Sequence, residues 1–237
     1  MVIGAIFAGG IGSRMGSADM PKQYLQLGSK PIIAHTIEKF AVNPGIDHII
    51  VLCPKAWIAH TKDIIKKYIG DRADVDVVEG GSTRNGTLEN ALRFIEENYG
   101  VDDDSIIVTH DAVRPFVTHR IICENIEAAK KYGACDTVIP ATDTIVDSAD
   151  GKTVRSIPPR HELYQGQTPQ SFNIKELRAV LDSLTAEEKE ILTDACKIFT
   201  IKNKPVRIVE GEVFNIKITY AYDLKVANAL LGVQKDD

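Results

Sequence analysis

The residues most able to act on phosphate lie in Ala8-Gly9-Gly10-Ile11-Gly12-Ser13-Arg14-Met15-Gly16, with Pro21-Lys22 close behind. Glycines that follow a strand let backbone N–H groups turn toward an anion without Cβ clashes. Arg14 and Lys22 add two cations to that turn, and Pro21 fixes the backbone before the second. Two familiar glycine loops do not fit. A P-loop needs a Lys after its last Gly, and none follows Gly16. A dinucleotide fingerprint needs G-x-G-x-x-G with an acid about twenty residues on; here the spacing is Gly10, Gly12, Gly16, and position 30 is Lys.

Asp111 is the second chemical candidate. It ends an apolar stretch from Ser105 through His110. Ligands of open α/β sheets gather at the carboxyl ends of strands. A carboxylate there suits Mg²⁺, which takes its other ligands from water and phosphate oxygens. The structural alternative is a helix cap or an ion pair with Arg114. His110 reads as a packed histidine rather than a metal ligand. Arg114, just before Pro115, fits a structural role as well as a functional one. A third stretch, Gly80-Gly81-Ser82-Thr83-Arg84-Asn85-Gly86-Thr87, opens a helix and brings two adjacent glycines that permit close backbone approach.

These groups need a scaffold. Val2–Phe7, His48–Cys53, Val75–Val78, Ser105–Thr109 and Cys135–Pro140 read as short buried strands. Helical patterns lie between them at 31–42, 56–69, 82–98 (Ser82 as N-cap) and 118–132. Apolar strands alternating with helices predict an α/β fold with a Rossmann-like, mostly parallel sheet covered on both faces. After Pro140 the rhythm breaks. Residues 141–170 contain short β-like pieces, Asp143–Val146 and Thr153–Ile157, around Asp150-Gly151, and read as a β-arm leaving the main sheet. Asn173–Glu176 and Thr185–Glu188 have the pattern of capping boxes. A strand at Val206–Val209 and a helix at Tyr220–Leu231 close the chain. One domain over 1–237, with an arm at about 141–170, is the economical organisation.

The composition agrees. Of 237 residues, 44% are hydrophobic and 26% charged, which excludes a disordered or collagenous chain. The net charge of −5 supplies no basic field for general nucleic-acid binding, so any phosphate site is local. No run approaches eighteen apolar residues, so no membrane partner is expected. The four cysteines form no C-x-x-C pair and the N-terminus lacks a basic signal region; a cytoplasmic location is the expectation.

The opening G-G-x-G-x-R-M-G followed by P-K-Q resembles the sugar-phosphate nucleotidyltransferases. It is closest to the cytidylyltransferases acting on ribitol 5-phosphate or 2-C-methyl-D-erythritol 4-phosphate. Gly80–Thr87, Thr109–Phe116, Asp143-Thr144, Gln167–Gln170, Thr193-Asp194 and Asn215–Thr219 fall in the family's order across nearly the whole chain. The resemblance implies a nucleotidyltransferase fold that moves CMP from CTP to a polyol phosphate with Mg²⁺. Arg14 and Lys22 would be catalytic. Phe7, Ala8, Gly9, Gly10, Gly81, Ser82, Thr83, Arg84, Asn85, Gly86, Thr87 and Ala112 would bind the nucleotide. Arg160, Lys217 and Thr219 would hold the sugar phosphate, with Asp143 and Thr144 near the polyol, and Asp111 would bind the metal. The arm would cross into a partner in a homodimer, so that Arg160 serves the neighbour's site. Val113, Phe116, Tyr164–Gln167 and Leu192–Cys196 lean toward ribitol, which implies teichoic-acid or capsule synthesis. Methylerythritol is the alternative and implies isoprenoid synthesis. Two other classes compete: a regulator that binds nucleotide without catalysis, and a dinucleotide-dependent oxidoreductase. Arg14, Lys22, Asp111 and Lys217 together argue against the first, and Lys30 against the second.

Overall fold

The apolar runs become the middle of a sheet because helices cover both of its faces. The computed structural model describes residues 1–10, 20–192 and 194–233. The strands are β1 (Val2–Phe7), β2 (Gln26–Leu27), β3 (Lys30–Pro31), β4 (His48–Cys53), β5 (Val75–Glu79), β6 (Ile106–Asp111), β7 (Ala134–Pro140), β8 (Tyr164–Asn173) and β9 (Arg207–Glu210). The helices are α1 (Ile32–Ala41), α2 (Ile58–Tyr68), α3 (Arg84–Asn98), α4 (His119–Tyr132), α5 (Ile174–Asp182), α6 (Ala186–Glu190), α7 (Ala195–Ile201) and α8 (Ala221–Val233). β2 and β3 form a small hairpin. The other strands form one sheet in the order β5-β4-β1-β6-β8-β7-β9.

Side chains of β1 alternate between two cores, as strand geometry requires. Ile3, Ala5 and Phe7 pack with Leu88, Leu92 and Ile95 of α3, Leu177 of α5 and Phe199 of α7. Val2 and Ile6 pack with Ile37 and Phe40 of α1, Ile64 of α2 and Ile122 of α4. A third cluster of Leu27, Ile32, Val113, Phe116, Ile218 and Ala227 seats α8. The parallel register pairs Phe7 with Leu52 on one side and Asp111 on the other. The carboxyl ends of β1, β4 and β6 are therefore level, and the loops that follow them share one edge. Among the described residues, no helix is long and apolar enough to cross a membrane.

Three expectations need correction. First, residues 164–173 are not part of an arm. They form β8, antiparallel to both β6 and β7 between which it lies. Second, the β-like pieces at 143–146 and 153–157 do not pair as strands; the segment holds a single bridge between Asp147 and Ser156. Third, Thr83 rather than Ser82 caps α3, its hydroxyl accepting from Gly86 N at 3.0 Å. Thr185–Glu188 forms its capping box as expected, and Thr118, read as the first helical residue, is the N-cap of α4. Asn173 accepts from Glu176 N, but the Glu176 carboxylate pairs with Lys204 at 3.0 Å instead of closing the box.

The place of β8 in the sheet can be measured. Phe172 is fully buried and stacks on Phe199 with ring centroids 5.4 Å apart. Phe172→Ala should lower unfolding free energy by about 3–5 kcal/mol, the usual range for a buried Phe, in urea denaturation followed by circular dichroism. A loss below about 1 kcal/mol, the level of most exposed substitutions, would put this segment back outside the core.

Candidate active site

The loops at the carboxyl ends of β1, β5 and β6 enclose a cavity of about 420 Å³. Phe7, Ala8, Gly9 and Gly10 form one wall, and Gly81, Ser82, Thr83, Arg84 and Thr87 form another. Lys22, Gln23, Asp111, Val113 and Lys217 complete it. Most of the predicted nucleotide set therefore converges with Lys22, Asp111 and Lys217.

Lys22 is held by its neighbours in a short 3₁₀ turn, Lys22–Tyr24. Gln23 Nε2 donates to Ala8 O at 2.5 Å, which ties the turn to the end of β1. Tyr24 stacks on Trp57 at 4.6 Å, and its hydroxyl meets Thr61 Oγ1 at 2.8 Å. These contacts bring the Lys22 side chain alongside Gly10. Gln23 was visible in the P-K-Q run, but its backbone anchor was not.

The 80–87 loop is closed on itself. A Cβ on Gly81 would overlap the Gly86 backbone and come within 2.6 Å of Thr87 N. The glycine is thus required for the loop to pack against its own helix start. Thr87 locks the arrangement: its hydroxyl accepts from Gly81 N at 3.1 Å and donates to Thr83 O at 2.9 Å. Asn85 turns away from the cavity, donating to Leu192 O at 3.2 Å.

Asp111 is the electrostatic centre. Arg84 Nη1 donates to its Oδ1. Lys217 Nζ lies 2.9 Å and Arg114 Nε 3.6 Å from its Oδ2. Burial alone would raise the Asp111 pKa, but Arg84, Lys217 and Arg114 outweigh it and hold the carboxyl well below the usual range. Three cations thus surround one carboxylate, and Lys22 lines the same cavity, so it is locally positive in an acidic chain. Arg84 also lies over the Phe7 ring, 5.2 Å from its centroid.

Hydrogen bonds fix the backbone beneath that centre. Asp111 N donates to Thr168 Oγ1 at 3.2 Å, and Thr168 Oγ1 meets His110 Nδ1 at 2.9 Å. His110 Nε2 meets Arg114 O at 3.0 Å. A carbonyl only accepts, so Nε2 carries the proton and Nδ1 accepts from Thr168. Burial lowers the His110 pKa to about 4, which keeps the ring neutral. Arg114 Nη1 donates to Asn215 O at 2.8 Å, and Asn215 Nδ2 donates to Gln167 Oε1 at 3.0 Å. Arg114 is therefore both structural and part of the charged centre. Thr168 and Asn215 lay inside motifs quoted from the sequence, but nothing local to either reveals its partners.

Other predicted residues lie elsewhere. Arg14 and Thr193 are outside the described residues. Arg160 is exposed and donates to Thr142 O at 3.1 Å within the arm segment. Asp143 and Thr144 are exposed there too. Thr219 Oγ1 donates to Lys217 O at 3.2 Å, and Thr219 N donates to Asp223 at the start of α8. Ala112 is buried, with its N–H on Phe7 O and its carbonyl accepting from Thr36. Gly86 packs on Gly81.

A second acidic group lies behind Arg84. Oxygens of Asp136 and Asp194 and the Cys196 sulfur fall within 4.8 Å of one another. Both carboxylates accept from the Gln170 amide. Burial pushes the Cys196 thiol well above its usual pKa and so keeps it protonated. This donor set is poorly suited to Mg²⁺, which prefers oxygen ligands it shares with water.

Asp136 gives a pH prediction. Burial, then the neighbouring Asp194, raise its pKa to about 6 against the Gln170 hydrogen bond. The folded state thus binds this proton more tightly than the unfolded chain. Its contribution is full below the unfolded value and is lost as pH rises through about 6. Asp136→Asn cannot titrate. The stability of wild type relative to this variant should fall by up to about 3 kcal/mol between pH 4 and pH 7, read from urea midpoints. A pH-independent difference would mean that Asp136 ionises normally.

Comparison with known proteins identifies the family. The family model "IspD: 2-C-methyl-D-erythritol 4-phosphate cytidylyltransferase" matches residues 2–233. The 4-diphosphocytidyl-2C-methyl-D-erythritol synthase of Anaerococcus prevotii is 30% identical with a TM-score of 0.79, covering 98% of this chain and 96% of that one. The Francisella tularensis 2-C-methyl-D-erythritol 4-phosphate cytidylyltransferase is 28% identical with a TM-score of 0.79, covering 96% and 98%. The Thermus thermophilus enzyme of the same name is 26% identical with a TM-score of 0.71, covering 97% and 98%. A family model matching residues 2–233 and a relative 30% identical over 98% of the chain show that the chain belongs to the 2-C-methyl-D-erythritol 4-phosphate cytidylyltransferase family and is a nucleotidyltransferase.

Proposed function

We propose that this chain, as one nucleotidyltransferase unit over 1–237, transfers CMP from CTP to 2-C-methyl-D-erythritol 4-phosphate and releases pyrophosphate. The observation that carries the transfer chemistry is the set of cations Lys22, Arg84 and Lys217 lining a cavity walled by Gly9 and Gly10, with Arg114 behind Asp111. The choice of acceptor follows the family model and the named relatives. They favour methylerythritol over the ribitol phosphate that the sequence features suggested, and give no support to a teichoic-acid role. One observation keeps ribitol as a second reading. Val113, one of the residues that leaned toward it, packs with Phe116 in the cluster beneath α8 and also lines the cavity.

In the reaction, an oxygen of the acceptor phosphate attacks the α-phosphorus of CTP. The bond from the α-phosphorus to the bridging oxygen breaks, and that oxygen leaves with pyrophosphate. Little covalent chemistry falls to the protein, which positions the groups and neutralises developing charge. Lys22, on its anchored turn beside Gly10, meets charge on the triphosphate, and Arg14 is assigned the same task by resemblance. Lys217 holds the acceptor phosphate, with Thr219 supporting the Lys217 backbone. A divalent cation fits Asp111: the carboxylate is ionised, opens on the cavity, and leaves further positions to phosphate oxygens and water. Bound there, Mg²⁺ would neutralise phosphate charge.

We assign Arg160 to the acceptor site of a second copy. Ile145, Val146, Val154 and Ile157 of the same segment are exposed, and apolar side chains exposed together on one segment favour burial against a partner. A two-fold homodimer would place each arm at the other chain's cavity. A site so shared is cytidylyl-transferring only as a dimer.

Three experiments test this reading. Pyrophosphate release with CTP should be far faster with 2-C-methyl-D-erythritol 4-phosphate than with D-ribitol 5-phosphate; the reverse order would select the second reading. Lys22→Ala should lower kcat by about 10²–10³, as loss of one charge-stabilising donor does, with the circular dichroism spectrum unchanged. Near-wild-type kcat would remove Lys22 from catalysis. Finally, inactive Lys22→Ala and Arg160→Ala chains should regain activity when mixed, because a shared-site mixed dimer carries both lesions in one site and neither in the other. No recovery despite proven subunit exchange would confine each site to one chain.

A further inference from the structure

The Gln167–Gln170 motif has no role in the chemistry above, although Gln170 lies directly behind the nucleotide cavity. Its side chain is 1% exposed and touches three charged groups. Gln170 Nε2 donates to Asp136 Oδ1 at 3.0 Å and to Asp194 at 2.9 Å. Gln170 Oε1 accepts from Arg84 Nη2 at 3.4 Å. Arg84 in turn donates to Asp111 and covers Phe7.

We infer that Gln170 is a positioning residue for CMP transfer, whose carboxamide, aimed by Asp136 and Asp194, keeps the Arg84 guanidinium on Asp111.

Two arguments carry it. The amide has one orientation. Reversed, it would set its oxygen against two carboxylates and its N–H groups against a guanidinium, leaving buried polar groups unpaired on both sides. The second argument concerns competition. Arg84 starts α3 between two acidic poles: Asp111 in front, and Asp136 with Asp194 behind. Both poles attract it, since Asp111 and Asp194 each raise its pKa against burial. Gln170 fills the rear acids with neutral donors and presents Arg84 with an uncharged oxygen. The only carboxylate that Arg84 pairs with among the described residues is then Asp111. Without the amide the rear pair would be free to draw the guanidinium back, away from the cavity and from Phe7. Arg84 Nε is buried with no protein acceptor, so the side chain has no other tether on that edge. The acid pair is held in turn: Asp194 caps α7 through Cys196 N at 2.8 Å, and Asp136 lies on β7, paired in the sheet with β8 at Gln170 itself.

The inference rests on CTP being the ligand of this cavity, so CTP affinity of the full chain is the primary readout, with kcat/KM alongside. Gln170→Met, Arg84→Met and the double variant form a cycle, measured by calorimetric titration with CTP and Mg²⁺. Gln170→Met should weaken CTP binding roughly tenfold, the scale of one hydrogen bond to a charged group. Because Gln170 acts through Arg84, the double variant should bind no worse than Arg84→Met alone. Gln170→Asn, which keeps the amide but shortens it, should show a loss of the same kind and serves if the Met variant fails to fold. Melting temperatures monitor the fold. Additive losses would overturn the positioning role and leave Gln170 structural. A wild-type chain that binds no CTP would instead overturn the functional reading beneath it.

Discussion

A carboxylate at the buried end of a strand stays ionised only if cations compensate for its lost water. Asp111 meets that condition through Arg84, Arg114 and Lys217. The demand propagates outward. Arg84 must start α3, so the 80–87 loop must close tightly, and Gly81 with Thr87 lets it do so. Arg114 must reach Asn215, which brings the 211–219 segment over the cavity and Lys217 with it. The Asp111 backbone must be held by Thr168 on β8. Loops from distant parts of the chain thus answer to one charge.

That dependence accounts for the strand that sequence periodicity misses. β1, β4 and β6 are legible because their buried faces are aliphatic and their apolar runs are continuous. β8 is just as buried from Gln167 to Phe172, yet it reads Gln-Thr-Pro-Gln-Ser. Its polar side chains are not solvated; each is satisfied inside the protein. Gln167 pairs with Asn215, Thr168 with His110, Gln170 with the acid pair, and Ser171 Oγ with Asn125 at 3.2 Å. Hydropathy marks such a strand as loop because it measures transfer from water, not pairing. The opposite error occurs at 143–157. There Ile145, Val146, Val154 and Ile157 suggest strands, while the single chain offers them no sheet to join.

The site divides along similar lines. Residue type and placement were enough to nominate Lys22 and Asp111, because few residue types can meet phosphate or metal; Arg84 and Lys217 were nominated only through the family resemblance. What residue order could not give was who touches whom. Arg84 and Asp111 are 27 residues apart, Asn215 and Gln167 are 48, and Arg114 and Asn215 are 101. Such pairings exist only once the sheet order is fixed. The cap of α3 moved by one residue for a more local reason: both Ser82 and Thr83 can cap, and the closure of Gly81 on Gly86 selects the second.

A carboxylate in the middle of an anion-binding cavity looks counterproductive, since it subtracts from the positive field. Its value lies in preorganisation. Lys and Arg side chains lose about 2 kcal/mol of rotamer entropy each when fixed. Left free, they would incur that loss on binding substrate or in the transition state. Asp111 draws three of them into one arrangement in the ligand-free fold. On the proposed function, arriving phosphate oxygens would exchange with carboxylate oxygens of similar geometry, which would leave Asp111 to hold a divalent cation. Such an exchange works only if each cation is shared with Asp111 rather than captured elsewhere. Lys217, half in solvent, has no carboxylate but Asp111 among its salt bridges in the described residues. Arg84 differs in that a second pair of acids lies behind it. The amide between them is therefore as much a part of the charge design as the cations in front.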